Sequence, residues 1–571
     1  MSTKKWTAES GLYAVILLLA LTVRLLHLGK NPLSDAEAEL ALRALAFAKG
    51  QPGGYGAQPF YILFTGSLFF LLQGSNFLAR LLPALAGSLL VGVPYLLREQ
   101  LGRKTALLLT FFLAISPGLV AASRQADTLI LASAFLLLAG AFFVRRKAAL
   151  GGSMAALALL SGPEIWPGLI ALALALGYLR LVKQRGTDET LLVLAGEEDA
   201  QEFGWKKFLG WFAGSFVLLG LLSFIKPGGI GAAAGSLPMY LQGWASGSGS
   251  TFQRMLVALL AYEGLALVFG SWAGLTQFRN REQLDRFLCV WSTAALLMVL
   301  IYPGRQEIDL VWVLIPLLGM AARLLGRQAP VEQEVRWIAY ALAVAVMVLG
   351  ILVWMNLAGL SGPILSSVDL QLRWVRLAAT LVVMALLVVL VGWGWSASAA
   401  KVGFVLGLGG CFLLYTFSAS WHAAGLGPHP EAELWRTGPY PAQADLLLKT
   451  VGDLSAQQTG ERTGPGTVVM QLDSPSLRWL LRDQSQVQFV NFLPAEEQPL
   501  LVITGQKDNP GLTAGYSGQD FVWQEMPAWS ILLGDDWLGW LTFREVVLQE
   551  ERIILWTKSD LFPSNGEDAG N

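Results

Sequence analysis

Residues 338–357 have the sequence IAYALAVAVMVLGILVWMNL, an apolar run without a charged side chain. About 20 such residues are enough for an α-helix to cross the hydrocarbon core of a bilayer, which is roughly 30 Å thick. Within that core the backbone must satisfy its own hydrogen bonds, so the run is predicted to be a transmembrane helix. Comparable runs at residues 13–28 and at Leu129–Val144 indicate that the chain crosses the membrane repeatedly.

The composition of the whole chain agrees with a membrane protein. Hydrophobic residues make up 54% of its 571 residues and charged residues only 14%, with a mean hydropathy of +0.53. Soluble domains carry about 25% charged residues, so this balance excludes an ordinary globular protein. The formal net charge of −1 argues against a nucleic-acid partner and leaves the lipid bilayer as the expected environment.

Lysine and arginine collect in short loops between the apolar runs, and loops of this kind face the cytoplasm. With the N-terminus also inside, this rule predicts about 13 transmembrane helices and an extracytoplasmic C-terminal part. The basic loop clusters that carry the argument include Arg98/Arg103/Lys104, Arg145/Arg146/Lys147 and Arg323/Arg327.

One apolar segment, Pro59–Leu72, does not suit a full crossing. It is short and contains Gly66, and counting it as a span would place every later basic cluster outside. The segment is therefore predicted to be a helix that lies along the outer membrane surface.

The residues from 421 onward differ from the rest of the chain. Helical spacing at 444–457 and 476–482 alternates with short apolar runs at 467–472 and 500–504, separated by Gly/Pro turns. The predicted organisation is a transmembrane domain at 1–420, with a first outer loop at 29–77, and an extracytoplasmic α/β domain at 421–571. The fold class is thus a polytopic α-helical membrane protein with a C-terminal α/β domain.

The first outer loop carries an acidic pair at the start of an amphipathic helix. Ser34 and Glu37 have the S-x-x-E spacing of a capping box, which gives Glu37 a structural explanation. Asp35 lies in the first helical turn, where the helix dipole stabilises a negative charge. An ionised carboxylate at an outer membrane surface is equally suited to act as a general base or to bind a hard cation.

Four further polar residues are predicted at the outer membrane face. Arg124 and Asp127 are spaced so that they either pair with each other or line a cavity. Glu164 lies in a short outer turn and is a candidate for the same cavity. Arg305, also in a turn, is suited to bind a phosphate in a bidentate way, or else to anchor its helix at the interface.

The order of motifs in the first third resembles the GT-C membrane glycosyltransferases, in particular the group of dolichyl-phosphate-mannose–protein mannosyltransferases and aminoarabinose transferases. The resemblance is clear for about residues 10–180, and the stretch at 474–483 is similar to flippase-associated prokaryotic members. The motifs are PLSDAEA (32–38), PFY (59–61), GSNFLARLLPALAG (74–87) and the SP…SRxxD stretch at 116–127.

The resemblance implies an inverting hexosyl or pentosyl transferase that uses a polyprenyl-phosphate sugar and a protein, lipid or glycan acceptor. Asp35, supported by Glu37, would be the catalytic base, although the family's adjacent Asp-Glu pair is here separated by Ala36. Asp127 would be a second acid of the cavity and, with Asp35, a candidate ligand of a divalent cation. Arg305 would contact the lipid phosphate.

Two other functions are compatible with the sequence. A lipid or solute transporter, or a flippase component, would use the outer acids for gating or ion coupling, although no inverted repeat is found. An inactive envelope scaffold is compatible with the separated acidic pair. No Walker loop, dinucleotide fingerprint, zinc signature or nucleophile elbow occurs in the sequence, which argues against an ATP-driven pump or a soluble-type hydrolase.

Overall fold

The computed structural model describes most of the chain. The described residues are 7–51, 56–184, 203–221, 228–247, 249–277, 282–327, 332–361, 366–463, 466–494, 497–508, 510–512, 515–529, 531–532 and 534–559.

The chain divides into two compact units. The first comprises the described parts of Met1–Gly29, Arg43–Arg436 and Leu532–Glu545, and the second those of Lys30–Leu42, Thr437–Ile531 and Val546–Asn571. Relative to the predicted boundary at 420/421, the second unit begins later, includes residues 30–42 of the first outer loop and excludes residues 532–545.

Helices dominate the described residues, and both units contain them. In chain order they are α1 (Ala8–Leu25), α2 (Asp35–Ala48), α3 (Pro59–Leu72), α4 (Asn76–Val91), α5 (Val93–Leu96), α6 (Arg98–Leu101), α7 (Arg103–Ile115), α8 (Pro117–Ser123), α9 (Leu129–Val144), α10 (Ala148–Leu160), α11 (Ile165–Gln184), α12 (Trp205–Gly220), α13 (Gly228–Ala234), α14 (Ser236–Ala245), α15 (Phe252–Tyr262), α16 (Ser271–Gln277), α17 (Gln283–Ile301), α18 (Val311–Gly326), α19 (Arg336–Leu360), α20 (Ser367–Gly394), α21 (Ala397–Ala423), α22 (Ala444–Thr459), α23 (Pro475–Leu480) and α24 (Gly534–Phe543).

The first unit contains the membrane-spanning helices. Within the described residues, seven helices are long and apolar enough to cross a membrane, or up to nine if each of two bent pairs forms one span. Four shorter apolar helices add to these, among them Pro59–Leu72, whose bounds agree with the predicted surface helix. The chain is a multi-pass membrane protein, as its composition predicts.

The two bent spans are joined at their breaks by one buried carboxylate. The pair α7 and α8 bends by 58°, and Phe252–Tyr262 with Ala266–Thr276 bends by 93°. Glu263 lies at the second break. Its Oε1 accepts a hydrogen bond from the Ser116 hydroxyl at 2.9 Å and another from the Gly118 backbone nitrogen at 2.8 Å, and both donors lie at the first break. Glu263 thereby satisfies backbone and side-chain donors that the helix break exposes inside the protein.

The second unit is built on a six-stranded mixed sheet. Its strands are β1 (Tyr440–Pro441), β2 (Thr467–Met470), β3 (Gln488–Val490), β4 (Leu501–Gly505), β5 (Tyr516–Pro527) and β6 (Leu548–Lys558). The spatial order is β1-β5-β6-β4-β2-β3, with β2 parallel to β3 and β4 and the other neighbours antiparallel.

Local sequence signals set the helices that pack on this sheet. Helix α22 ends at Gly460, which has a left-handed φ of 77°, and α23 begins with Ser474 as its N-cap and Pro475 in its first position. Their apolar sides contribute to a core cluster with the central strands; its members include Leu447, Val451, Leu477, Val469, Ile503, Trp523 and Leu555. The predicted C-terminal α/β domain is thus confirmed.

Candidate functional site

Asp35, the predicted base, is the first residue of α2 and accepts four hydrogen bonds within the second unit. Its Oδ1 accepts from the Ser474 hydroxyl at 2.8 Å, the Ser476 hydroxyl at 2.7 Å and the Ser476 backbone nitrogen at 3.0 Å. Its Oδ2 accepts from the Gln524 amide nitrogen at 2.9 Å. The carboxylate therefore ties the start of α2 to the start of α23 and to β5.

These contacts set the protonation state of Asp35. Burial by itself would raise the pKa, but the hydrogen bonds from Ser476, Ser474 and Gln524 outweigh it and lower the pKa of Asp35 below its ordinary value. The group is thus ionised at neutral pH, as a base requires. A lowered pKa also weakens its proton affinity, so these donors hold the carboxylate as a stable anion.

The partners of Asp35 are functional candidates that the sequence did not reveal. The Ser-Pro-Ser sequence at 474–476 predicts a helix start, and the structure confirms that start. Nothing in the spacing indicates that its donors turn toward Asp35, because the two segments are 439 or more residues apart.

Glu37 has the structural position that the capping-box spacing predicts. Its Oε2 accepts from the Ser34 backbone nitrogen at 3.1 Å and from the Ser34 hydroxyl at 3.3 Å, and the side chain is only 2% exposed. A capping function for Glu37 is confirmed, whereas its support of a base stays a prediction.

A second group of acids lies in the first unit, at the turn between α10 and α11. Glu164 accepts a hydrogen bond from the Thr128 hydroxyl at 2.8 Å, and Asp127 and Asp309 both act on it electrostatically. Gly162 closes this turn with a φ of +131°, where a Cβ would lie 2.7 Å from the Glu164 carboxylate. The predicted pair of Asp127 and Glu164 is thus brought together, and Asp309 joins it.

Asp309 was not singled out from the sequence. It lies in a short 3-10 turn at Glu307–Leu310, and its carboxylate accepts from the Gln306 backbone nitrogen at 2.8 Å. A Gln-x-x-Asp spacing directly before an apolar helix was the available signal, but it indicates a cap and not a cavity.

One buried polar atom without a partner lies beside the turn that carries Glu164. The Gln58 side chain is next to Gly162, and its Oε1 is buried without a hydrogen-bond partner among the described residues. No group of three or more His, Cys, Asp or Glu side chains in the described part of the chain is arranged to hold a metal ion. Independently of that, carboxylate and amide oxygens accept hydrogen bonds, so this array is suited to a ligand rich in hydroxyl groups.

The two predicted arginines both donate to backbone carbonyls. Arg124, which is 7% exposed, donates from Nε to Ala424 and from Nη1 to Val23, Arg24 and Leu26. Arg305 donates to the carbonyls of residues 250, 300 and 302. Both guanidinium groups organise the protein backbone, and substrate binding by either stays a prediction.

Replacing Glu164 by glutamine is expected to reduce the pH dependence of stability. Burial, and then the Asp127 charge, raise the pKa of Glu164 well above its ordinary value. Folding therefore favours the protonated form of Glu164. The contribution of Glu164 to the free energy of unfolding is complete below the pKa of about 4.3 that glutamate has in the unfolded chain, and it is lost as the pH rises through the raised pKa of the folded state. The midpoint of thermal unfolding in detergent should fall more for the wild type than for Glu164→Gln between about pH 5 and about pH 9.

The exposed Glu99→Gln variant is the matched control, since Glu99 is 68% exposed and should leave the pH profile of the wild type unchanged. Parallel profiles for the wild type and Glu164→Gln would show that Glu164 does not titrate in this range.

Comparison with known proteins identifies the fold. No family model matches the chain, and no curated protein matches it. Among solved structures, the chain is similar to ArnT from Cupriavidus metallidurans in the apo state, with a TM-score of 0.56 and 15% identity. It is also similar to the same protein bound to undecaprenyl phosphate, with a TM-score of 0.53 and 16% identity. Each alignment covers 98% of this chain and 100% of the other, so the described residues have a GT-C-like fold.

Proposed function

We propose that this chain is a membrane glycosyltransferase that transfers a sugar from a polyprenyl-phosphate donor to an acceptor on the outer side of the cytoplasmic membrane. The N-terminus is cytoplasmic and the second unit is extracytoplasmic in this proposal, as the distribution of Lys and Arg predicts. The sugar is a hexose or pentose, and the acceptor a protein, lipid or glycan.

One observation carries the proposal. The similarity to ArnT extends over the transmembrane helices and the C-terminal domain alike, and one of the two ArnT structures holds undecaprenyl phosphate. A lipid-linked phosphate is the carrier that an outer-face transferase needs, because a membrane-embedded enzyme receives its donor from the bilayer.

Asp35 is the base in this proposal. The acceptor hydroxyl attacks the anomeric carbon from the side opposite the phosphate, its proton passes to the Asp35 carboxylate, and the bond from the anomeric carbon to the phosphate oxygen breaks. Polyprenyl phosphate leaves as the anion, and the configuration at the anomeric carbon is inverted. Glu37 keeps the helix start rigid, which fixes the position of the neighbouring carboxylate.

The acidic group of Asp127, Glu164 and Asp309 binds hydroxyl groups of the sugar in this scheme, and Arg305 contacts the donor phosphate. A divalent cation at Asp35 and Asp127 stays a prediction, and no step is assigned to it.

The hydrogen bonds of Asp35 favour a second candidate, an inactive envelope scaffold. An acid whose oxygens accept from two serines and a glutamine can serve entirely as a structural link between α2, α23 and β5. In that case the chain would keep a transferase fold without sugar transfer.

Native mass spectrometry of the purified full-length protein, wild type beside Asp35→Asn, tests the proposal. A transferase should carry bare polyprenyl phosphate in the wild type and retain the polyprenyl-phosphate sugar in the variant, which can bind donor but not use it. Bare carrier or no polyprenyl species on both proteins would contradict the transferase, and counterflow of labelled lipid in vesicles would then favour the transporter.

A further inference from the structure

We propose that Gln524 is a positioning residue of the transfer reaction, which fixes the orientation of one oxygen of Asp35, Oδ2, so that this oxygen receives the proton of the acceptor hydroxyl. The inference rests on the proposed function and adds a residue of β5 that the sequence did not single out. Asp35, Gln524 and the two serines that contact Asp35 all belong to the second unit.

The two oxygens of Asp35 differ in the number of donors that they meet. Oδ1 accepts three hydrogen bonds, two from Ser476 and one from Ser474, at 2.7–3.0 Å. Oδ2 accepts one among the described residues, from the Gln524 amide nitrogen at 2.9 Å. Because a carboxylate oxygen has about two lone-pair sites, Oδ1 is saturated and Oδ2 keeps a site for a further donor. Asp35 is only partly buried, and Oδ2 is therefore the oxygen at which an acceptor hydroxyl can add a hydrogen bond.

The start of α23 fixes the position of Oδ1. Ser474 caps this helix, since its hydroxyl accepts from the Leu477 backbone nitrogen at 3.3 Å, and it lies 2.9 Å from the hydroxyl of the buried Ser476. Bonds to one oxygen alone leave the orientation of the carboxylate plane weakly determined, because the terminal torsion of an aspartate is broad. A contact to the second oxygen is needed to fix that plane, and Gln524 supplies it.

Gln524 lies in a part of β5 that is paired on both edges. The register of β5 against β6 shifts between Val522 and Gln524, and on the other edge Gln524 is opposite Pro441 of β1. Irregularities of this kind re-aim a side chain and are frequent next to active sites. The Gln524 side chain is buried as well. The donor to Oδ2 is thus carried by a rigid element, as a positioning residue requires.

In this scheme Oδ2 takes up one proton. The acceptor oxygen forms a bond to the anomeric carbon, the bond from that carbon to the phosphate oxygen breaks, and its electron pair leaves with polyprenyl phosphate. The proton of the acceptor hydroxyl passes to Oδ2. Gln524 gains and loses no proton, and its contribution is to hold Oδ2 within hydrogen-bond distance of the attacking hydroxyl.

The test measures release of undecaprenyl phosphate by the full-length protein in lipid vesicles, with glycerol as the probe acceptor. The donors are undecaprenyl-phosphate mannose, undecaprenyl-phosphate glucose and undecaprenyl-phosphate arabinose, offered separately. Gln524→Met removes the donor to Oδ2 and keeps the length of the side chain. Gln519→Met is the matched control, because it makes the same change at an exposed position of β5.

We expect Gln524→Met to lower kcat by about 10–100-fold, since a displacement of about 1 Å at a reacting group can cost about 10²-fold. KM for the donor should keep its wild-type value, because Gln524 contacts Asp35 and not the donor in this scheme. Gln519→Met should leave both constants unchanged. A lower midpoint of thermal unfolding with an unchanged kcat per folded protein would assign Gln524 a structural role only; this result would overturn the inference and leave the proposed function standing.

A double-mutant cycle with Asp35 separates positioning from an independent effect. In Asp35→Asn, which has no carboxylate to position, Gln524→Met should cause no further loss of kcat. An equal loss in both backgrounds would show that Gln524 acts without Asp35, and the inference would be wrong. Absence of release by the wild type from all three donors would overturn the proposed function, and the inference with it.

Discussion

Replacing Asp35 by asparagine is expected to lower the rate of sugar transfer by about 10²–10⁴-fold, the usual contribution of a general base. The same change should leave the fold intact, because asparagine can keep the hydrogen bonds that Asp35 makes. The Oδ1 of asparagine can accept the three bonds from Ser474 and Ser476 that Oδ1 of the carboxylate accepts now. The Gln524 amide can rotate and present its oxygen to the new amide nitrogen, because either end of that group can face Asp35.

The measurement is transfer of a radiolabelled sugar from polyprenyl phosphate, made beside the midpoint of thermal unfolding. An unchanged midpoint with lost transfer supports a base, whereas unchanged transfer in the variant would show that Asp35 is only a structural link. The comparison therefore separates the transferase from the scaffold.

The Ser474→Ala/Ser476→Ala variant is the control for the hydrogen bonds. Removing these donors removes the effect that lowers the pKa of Asp35, so its pKa should rise. If Asp35 is the base, the acidic limb of the pH profile of transfer should move to higher pH, while transfer at neutral pH persists. A limb that does not move would mean that another group titrates in the reaction.

The second large effect is expected at the start of α17, where an acid is buried against the end of α18. Asp285 is 2% exposed and pairs with Arg323, which is 3% exposed, and its second oxygen accepts from Arg327 Nη1 at 2.9 Å. Replacing Asp285 by alanine leaves Arg323 buried with one acidic partner fewer. Breaking a buried pair in this way costs about 3–5 kcal/mol of the free energy of unfolding.

Glu282→Ala is the matched control, because Glu282 pairs with the same two arginines but is 55% exposed. Exposed pairs contribute about 0–1 kcal/mol, so this variant should remain close to the wild type. Equilibrium unfolding of both variants in the same detergent measures the difference. Equal losses for the two acids would contradict the assignment of the large effect to burial.

The secondary structure around the site was predicted well where local signals are strong. The helix at 59–72, the helix start near Asp35 and the elements α22, α23, β2 and β4 follow from apolar periodicity, caps and turn residues. Strands β5 and β6 were not predicted. Each strand has an exposed stretch without apolar side chains, at residues 517–520 in β5 and 549–551 in β6, so the apolar alternation that indicates a strand is missing there.

The candidate site was predicted only in part. Asp127 and Glu164 are close enough to act on each other electrostatically, as Asp309 also is, whereas the cavity that they were expected to line stays a prediction. The backbone contacts of Arg124 and Arg305 were not foreseen, because a sequence shows which side chains can donate but not which carbonyls a helix break leaves unsatisfied.

Hydropathy and helix caps depend on residues that are neighbours in the chain, so they were sufficient to predict a polytopic membrane protein with a C-terminal α/β domain. The contacts of the charged residues depend instead on the packing of distant segments. Asp35 meets Ser474 and Ser476 across about 440 residues of chain, and Glu263 meets Ser116 across 147. Such bonds depend on the directions of single donors and acceptors, which are fixed only when distant elements pack together.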